Sequence, residues 1–208
     1  ELMRDVARLY QEENAGLKRI HFDRHLYLPL LVEQVDKMQS IPPALKPSEA
    51  RFVRDLKEYW EKEKDKSLNG KEVFLLRNLS RGSGIGFFEE RGFYPDFILW
   101  VISGSKASEK HQRIVFVEPH GMLHAKAYIH DEKAQLHERL PELAKEIGKR
   151  SNWPNITLDA YIVSATPYND LRPRYDDGTW DCNKFAQKHI LFQEPLQPGY
   201  NYIQVLLA

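Results

Sequence analysis

Two acidic residues stand at the ends of the two most apolar stretches of the chain. Asp96 immediately precedes residues 97–102, and Glu118 immediately follows residues 114–117. Both stretches are short and rich in β-branched and aromatic residues, which is typical of strands covered on both faces of a sheet. An unpaired carboxylate at the end of such a strand is costly. Because a divalent cation held between the two side chains would offset that cost, we interpret Asp96 and Glu118 as candidate metal ligands.

A histidine lies two residues beyond Glu118. Strand alternation puts Phe116, Glu118 and His120 on one face, although Pro119 distorts the end of the strand. Two carboxylates and a third polar group at the rim of a sheet would hold Mg²⁺ for attack on a phosphodiester, because the metal lowers the pKa of its bound water and neutralises charge on the phosphate. Taken singly, His120 fits a hydrogen-bonded surface histidine equally well.

A third acid begins the first clear helix, which starts at residues 47–48 with Ser48 as the expected N-cap. Glu49 lies at the head of the buried stripe of this helix. Two roles are compatible with that position: a favourable charge at the helix N-terminus, or a further acid of the site. The stripe itself consists of residues at helical spacing, namely Phe52, Val53, Leu56, Tyr59 and Trp60.

The remaining periodicity predicts the elements that hold these side chains. Residues 72–76 and 156–163 are predicted strands, and residues 131–149 form a predicted helix in which Pro141 causes a kink or a break. The polar residues 103–112 are short enough for an antiparallel hairpin, whereas the helical crossover before residue 156 allows parallel pairing. The sequence therefore predicts an α/β fold, with a mixed central sheet flanked by helices.

The first 46 residues are predicted to form a helical and linker segment, separate from a domain spanning residues 47–208. Residues 1–14 have helical spacing, and residues 39–46 form a proline-containing linker. The apolar patch at residues 21–31 either docks on sequence outside this chain or lies on the domain's own core. Since the chain begins with Glu1, we expect it to be a piece of a larger protein.

Composition narrows the functional classes. Thirty basic and thirty acidic residues cancel, so any surface that attracts nucleic acid must be local. Residues 77–92 combine glycines with arginines, which suits a loop near phosphates and equally a plain connection. The single Cys182 excludes an intrachain disulfide and fits a reducing, cytoplasmic location. No apolar stretch approaches the roughly 20 residues of a membrane span.

The order of these motifs resembles a known family. Pro95-Asp96 followed by Glu118-Pro119-His120 is similar to the signature of the PD-(D/E)xK nucleases. Over residues 20–195 the chain more narrowly resembles the C-terminal nuclease domain of DEAD/DEAH-box helicases related to the Res subunit of type III restriction enzymes. The segments that carry this resemblance are 42–45 before Glu49, Arg77-Asn78-Leu79, 92–100, 117–121 and 189–192.

The resemblance implies a restriction endonuclease-like core and a metal-dependent DNA endonuclease. Asp96 and Glu118 would bind Mg²⁺, with Mn²⁺ as an alternative, and Glu49 would be the acid that many members add from the first helix. The family's lysine falls at position 120, where this chain has His120. Lys126 and Lys133 are the other lysines considered for that role, although neither is in register with the motif.

The implied partners are DNA and a helicase/ATPase portion of the same polypeptide. No Gly-x-x-x-x-Gly-Lys-Ser/Thr motif occurs in this chain, so the ATPase would have to lie elsewhere. The alternative function is a nuclease-like domain that has lost cleavage and serves as a DNA-binding or docking module. Position 120, where this chain has His120, is the feature that separates the two functions.

Overall fold

The computed structural model describes residues 19–26, 30–33, 44–78, 94–104, 110–125, 127–151 and 155–208. The predicted helix at 1–14, most of the linker and most of the glycine-rich stretch lie outside these residues. The described strands are β1 (Arg19–His21), β2 (Leu30–Val32), β3 (Glu72–Arg77), β4 (Phe97–Ser103), β5 (His111–His120), β6 (Ile156–Ser164) and β7 (Ile190–Phe192). The described helices are α1 (Pro47–Glu63), α2 (Glu132–Ser151), α3 (Tyr168–Leu171), α4 (Cys182–Gln187) and α5 (Tyr202–Leu207).

A five-stranded mixed sheet forms the centre of the fold, in the order β3-β4-β5-β6-β7. The pairs β3–β4 and β4–β5 are antiparallel, whereas β5–β6 and β6–β7 are parallel. The predicted α/β class, the hairpin between β4 and β5, and the parallel pairing after the helical crossover are therefore confirmed. As predicted, β4 and β5 are interior strands.

Alternation along β4 and β5 sends their side chains into two separate cores. Phe97 packs against Phe52 of α1, with ring centroids 5.1 Å apart, and Leu206 of α5 lies in the same cluster. The next residue, Ile98, enters the opposite cluster with Leu140 of α2. Burial of one such side chain contributes about 1.5–3 kcal/mol. Helices on both faces thus hold the ends of β4 and β5 in fixed positions.

The N-cap of helix α1 lies two residues earlier than predicted. Pro47 is its first residue and Lys46 is the N-cap, so the prediction of Ser48 as N-cap was wrong. The fixed φ of proline suits the first helical position, and the missing N–H costs nothing there. The Ser48 hydroxyl is therefore available elsewhere, and it donates to the Pro119 carbonyl at 2.9 Å.

Helix α2 runs through Pro141 without the predicted break. Its apolar side bears Leu136, Leu140 and Ala144, which pack against β6 residues in one core cluster. Burial of this stripe offsets the helical hydrogen bond that Pro141 cannot make. Asp131 immediately precedes the helix and accepts the Ala134 N–H at 3.1 Å, which satisfies one N-terminal donor.

The described part of the N-terminal patch packs on the domain itself. Strands β1 and β2 form a small antiparallel pair, and Ile20 and Phe22 are buried in the same core cluster as α1. This packing favours the interpretation of the patch as a cover over the domain's own core. Among the described helices, none combines the length and the apolar character needed to cross a membrane.

Candidate functional site

Asp96 and Glu118 are neighbours at the rim of the sheet. Phe97 pairs with Val117 in the antiparallel register, so the preceding Asp96 faces Glu118. The Asp96 backbone N–H donates to Glu118 Oε2 at 3.0 Å. Only 8% of the Glu118 side chain is exposed. The hairpin therefore brings together the two acids that the sequence singled out.

The main chain at Asp96 is held from β3. Asn78, immediately after that strand, donates its backbone N–H to the Asp96 carbonyl at 2.8 Å. Its side-chain amide donates to the Pro95 carbonyl at 2.9 Å. Because Asn78 is itself buried, these bonds fix the direction in which the chain enters β4.

Lys133 supplies a positive charge to this rim. It lies in the first turn of α2, and its Nζ pairs with Glu118 Oε1. Both carboxylate oxygens of Glu118 thus have partners, which stabilises a buried charge that would otherwise be costly. In the sequence, Lys133 is out of register with the motif. Register along a strand gives no information about a residue on a helix that packs against the sheet. Lys126 lies outside the described residues.

Glu49 approaches from α1 and is also paired. Its side chain is 2% exposed, and its Oε2 accepts from Arg77 Nη2 at 3.0 Å and from the Lys46 backbone N–H at 3.2 Å. Burial lowers the pKa of Arg77, while the charges of Glu49 and Asp96 oppose that shift. Glu49 therefore places a negative charge in the first turn of α1 and also belongs to a charged cluster with Arg77 and Asp96.

Burial and the charges of the cluster together shift the pKa of Asp96. Burial raises the pKa of this carboxyl to about 7, and the negative charges of Glu118 and Glu49 add to the effect. Lys46 and Lys133 oppose the shift without cancelling it. A bound cation would favour the ionised form of Asp96 and so offset the effect of burial and of the two acids.

The carboxylates of Asp96 and Glu118 are the oxygen donors that a metal ion at this rim would use. Among the described residues, no group of three or more histidine, cysteine, aspartate or glutamate side chains is placed to hold a metal ion. Mg²⁺ commonly uses one or two carboxylates and completes its shell with water and substrate phosphates. Asp96 and Glu118 fit that pattern, whereas Glu49 remains directed towards Arg77.

His120 does not carry the charge that position 120 has in the resembled family. Its Nδ1 lies 4.0 Å from Glu118 Oε1 and is buried with no hydrogen-bond partner among the described residues. Burial lowers the pKa of His120 and outweighs the opposing charges of Glu118 and Asp131, and Lys133 adds to the downward shift. The neighbouring acids alone would raise this pKa, and burial overrides them.

A chain of hydrogen bonds ties the start of α1 to the sheet. Gln193, just after β7, donates to the Ser48 carbonyl at 2.8 Å and accepts from Arg51 Nη2 at 2.9 Å. The Ser48 hydroxyl in turn bonds Pro119, next to Glu118. No local pattern in the sequence marks Gln193, because its role arises only when β7 and α1 meet.

Comparisons of the chain with protein-family models, with curated proteins and with solved structures find no match in any of the three sets. Asp96, Glu118, Lys133 and their surroundings are therefore the features that bear on function.

Proposed function

We propose that this chain is a metal-dependent DNA endonuclease domain that hydrolyses phosphodiester bonds. One observation carries the proposal: a buried carboxylate, Glu118, is held between the Asp96 backbone N–H and the Lys133 ammonium at the rim of the central sheet. Two acids and one lysine at a strand end are the groups that the resembled PD-(D/E)xK nucleases employ. The restriction endonuclease-like core and the attached helicase portion are parts of the same proposal and rest on that resemblance.

Asp96 and Glu118 would hold the metal ion. The raised pKa of Asp96, caused by burial and then by Glu118 and Glu49, indicates a position where a cation is favoured. A bound Mg²⁺ supplies a more acidic water and neutralises charge on the phosphate. Glu49 adds negative charge near Asp96, and Arg77 holds its carboxylate in place.

Lys133 takes the role of the family's lysine in this proposal. Its side chain is 45% exposed and its ammonium contacts Glu118. It can donate to a phosphate oxygen or to the attacking water, and it reduces the repulsion between the acids and the DNA backbone. His120, whose pKa burial lowers, is neutral near pH 7 and can accept a proton from water.

A specific observation favours the alternative of a binding module without cleavage. Both oxygens of Glu118 are already engaged, and the described residues offer no set of three metal-binding side chains. A metal would have to compete with Lys133 for Oε1. In this alternative the ion pair between Lys133 and Glu118 is purely structural, and the domain binds DNA or docks on a partner without cutting.

A cleavage assay distinguishes the two functions. Supercoiled and linear DNA are incubated with the purified chain in Mg²⁺, in Mn²⁺ and in EDTA, together with the variants Asp96→Asn and Glu118→Gln. We expect metal-dependent cleavage that falls by about 100-fold or more in each variant, since each removes charge stabilisation from the transition state. Glu146→Gln, an exposed change on α2, is the matched control and should cut normally. Cleavage that persists in both variants contradicts the proposal, and DNA binding without cleavage in any metal supports the alternative.

A further inference from the structure

A cavity of about 490 Å³ opens directly beside Lys133. It lies along the connection between β5 and α2, and its polar lining consists of His124, His130, Asp131, Glu132 and Lys133. Pockets of roughly 300–1,000 Å³ are the size that encloses a small organic ligand. Lys133 lines the cavity and also contacts Glu118, so this one residue connects the cavity with the proposed cleavage site.

Two apolar side chains project into solvent from the same connection. Leu123 is 53% exposed and Ile129 is 74% exposed, and each lies next to one of the cavity's histidines. The only other large apolar side chain exposed in the described part of the chain is Leu143, on α2. Exposed leucine and isoleucine side chains serve as wedges between base steps in proteins that unstack DNA.

The connection is anchored, so the two exposed side chains are held outwards. Met122 is buried, and its backbone N–H donates to Thr166 Oγ1 at 2.9 Å. Tyr128 packs against Trp180, with ring centroids 5.7 Å apart. Each anchor lies immediately beside an exposed apolar residue, and the fold therefore presents Leu123 and Ile129 instead of burying them.

The polar lining suits a nucleotide. His124 and His130 offer flat rings on which an unstacked base can pack, and Lys133 offers an ammonium to the adjoining phosphate. Of the two acids, Asp131 is engaged in capping α2 through the Ala134 N–H. The lining thus combines surfaces for a base with one cation on the side of the cleavage site.

We propose that this cavity receives an unstacked nucleotide next to the phosphate that is cut, with Leu123 and Ile129 as the wedge. This inference rests on the proposed endonuclease function and deepens it, because it names the substrate class. Unstacking a base from intact duplex requires free energy that an unpaired base does not require. The preferred substrate is therefore DNA with unpaired nucleotides, such as a fork, a flap or a gap, by about tenfold or more over perfect duplex.

The test uses forked DNA that carries 2-aminopurine, whose fluorescence rises on unstacking, at successive positions around the junction. In EDTA the wild-type chain should raise the signal at one or two positions by about threefold, and fluorescence anisotropy should give tighter binding to the fork than to duplex. Leu123→Ser/Ile129→Ser should abolish the rise and weaken binding to the fork by about tenfold. Leu143→Ser is the matched control and should behave as wild type.

Because both side chains are exposed, the double variant should keep the wild-type thermal midpoint. If it does not, the single variant Ile129→Ser, which changes the more exposed residue, takes its place in the same assay. Ile129→Trp should retain the fluorescence rise, since it keeps an apolar wedge.

The outcomes separate this inference from the proposed function. Cleavage by the wild-type chain with no 2-aminopurine response at any position overturns the nucleotide cavity and leaves the endonuclease intact. A response without cleavage in any metal supports the cavity and removes the endonuclease. Unchanged fork binding in the double variant overturns the inference. The inference is also overturned if the double variant differs from wild type only in its sedimentation, because the surface would then be a contact between copies of the chain.

Discussion

Lys133, in the first turn of α2, forms an ion pair with Glu118 at the end of β5. The pair joins a helix on one face of the sheet to the rim where Asp96 also lies. In the resembled nucleases the lysine follows the second acid on the same strand. Here the strand carries His120, and the positive charge comes from a separate element, which is the relationship that the first prediction tests.

Lys133→Ala should reduce metal-dependent cleavage by about 100-fold, because it removes a donor aimed at developing charge. Because the variant leaves the buried Glu118 carboxylate without its cation, we also expect a loss of folding free energy of about 1–3 kcal/mol. Adding His120→Lys to this variant should restore part of the activity, since position 120 approaches the same Glu118 oxygen. Lys145→Ala, exposed on α2, is the control. Equal rates for the single and double variants would show that the two positions are not interchangeable.

Asp96→Asn should stabilise the metal-free protein at neutral pH. The pKa of Asp96 is raised from 3.8 to about 7, first by burial and then by Glu118 and Glu49. Below pH 3.8 both the folded and unfolded states bind the proton, so no penalty exists. As pH rises from 3.8 to 7, the unfolded state ionises more readily and the folded state loses stability. Denaturation in EDTA should show the variant more stable by about 1–3 kcal/mol at pH 8 and equal to wild type below pH 4.

Asp96 should also make the free energy of unfolding depend on a bound metal ion. Since a ligand that binds only the folded state raises the free energy of unfolding, Mg²⁺ should raise the thermal midpoint of the wild-type chain. Asp96→Asn should respond much less. Calorimetry with and without excess EDTA measures both effects, and an equal rise in the two proteins would place the metal elsewhere.

Gln193→Ala should loosen the start of α1 from the sheet. Gln193 is 5% exposed and its side-chain amide donates to the Ser48 carbonyl, so the variant loses this bond and about 0.5–1.5 kcal/mol of folding free energy. The bond from Arg51 goes to the Gln193 backbone carbonyl and should persist. If α1 then shifts relative to Pro119, cleavage should fall through kcat more than through KM, because DNA contacts outside the rim persist. Gln204→Ala, exposed on α5, is the comparison. A loss of stability with unchanged kcat would show that the bond chain has no effect on the site.

Acid should destabilise the fold through a pair of stacked histidines away from the site. His137 and His189 stack with ring centroids 3.8 Å apart. Burial lowers the pKa of His137 to about 4, and His189 adds to the shift. Below pH 6.5 the unfolded state binds a proton that the folded state refuses until about pH 4, so stability falls across that window. Urea denaturation from pH 7 to pH 4 should show a loss of about 1–2 kcal/mol that His137→Gln removes. An unchanged pH dependence in the variant would assign the loss to other groups.

Asp159 adds to the loss at lower pH. Burial opposes its ionisation, but hydrogen bonds and charges from His189 and Arg113 outweigh burial and lower the pKa of Asp159 below 3.8. Its contribution to stability is therefore present above pH 3.8 and disappears as pH falls through the lower, folded value. Asp159→Asn should destabilise the protein at pH 7 and show a smaller further loss between pH 4 and pH 2.

The features of the fold that depend on local sequence patterns could be predicted from the sequence. Apolar runs and a short polar connection were enough to place Asp96 and Glu118 side by side, since hairpin register follows from chain order. Lys133 could not be placed, because its contact depends on the rotation of α2 against the sheet. Ser48 was misassigned because Pro47 occupies the first helical position, which places the cap at Lys46, two residues before Ser48. The lowered pKa of His120 depends on burial, which a strand pattern does not give.

The contacts that tie the rim to both flanking helices have a consequence for the order of events during synthesis. Glu118 meets its lysine only after α2 docks, and the Ser48 bond to Pro119 forms only when α1 lies against the opposite face. A nascent chain that has closed the β4–β5 hairpin alone would hold the two acids without their counter-charge. Under the proposed function, the ability to break DNA therefore requires both helices to have docked on the sheet.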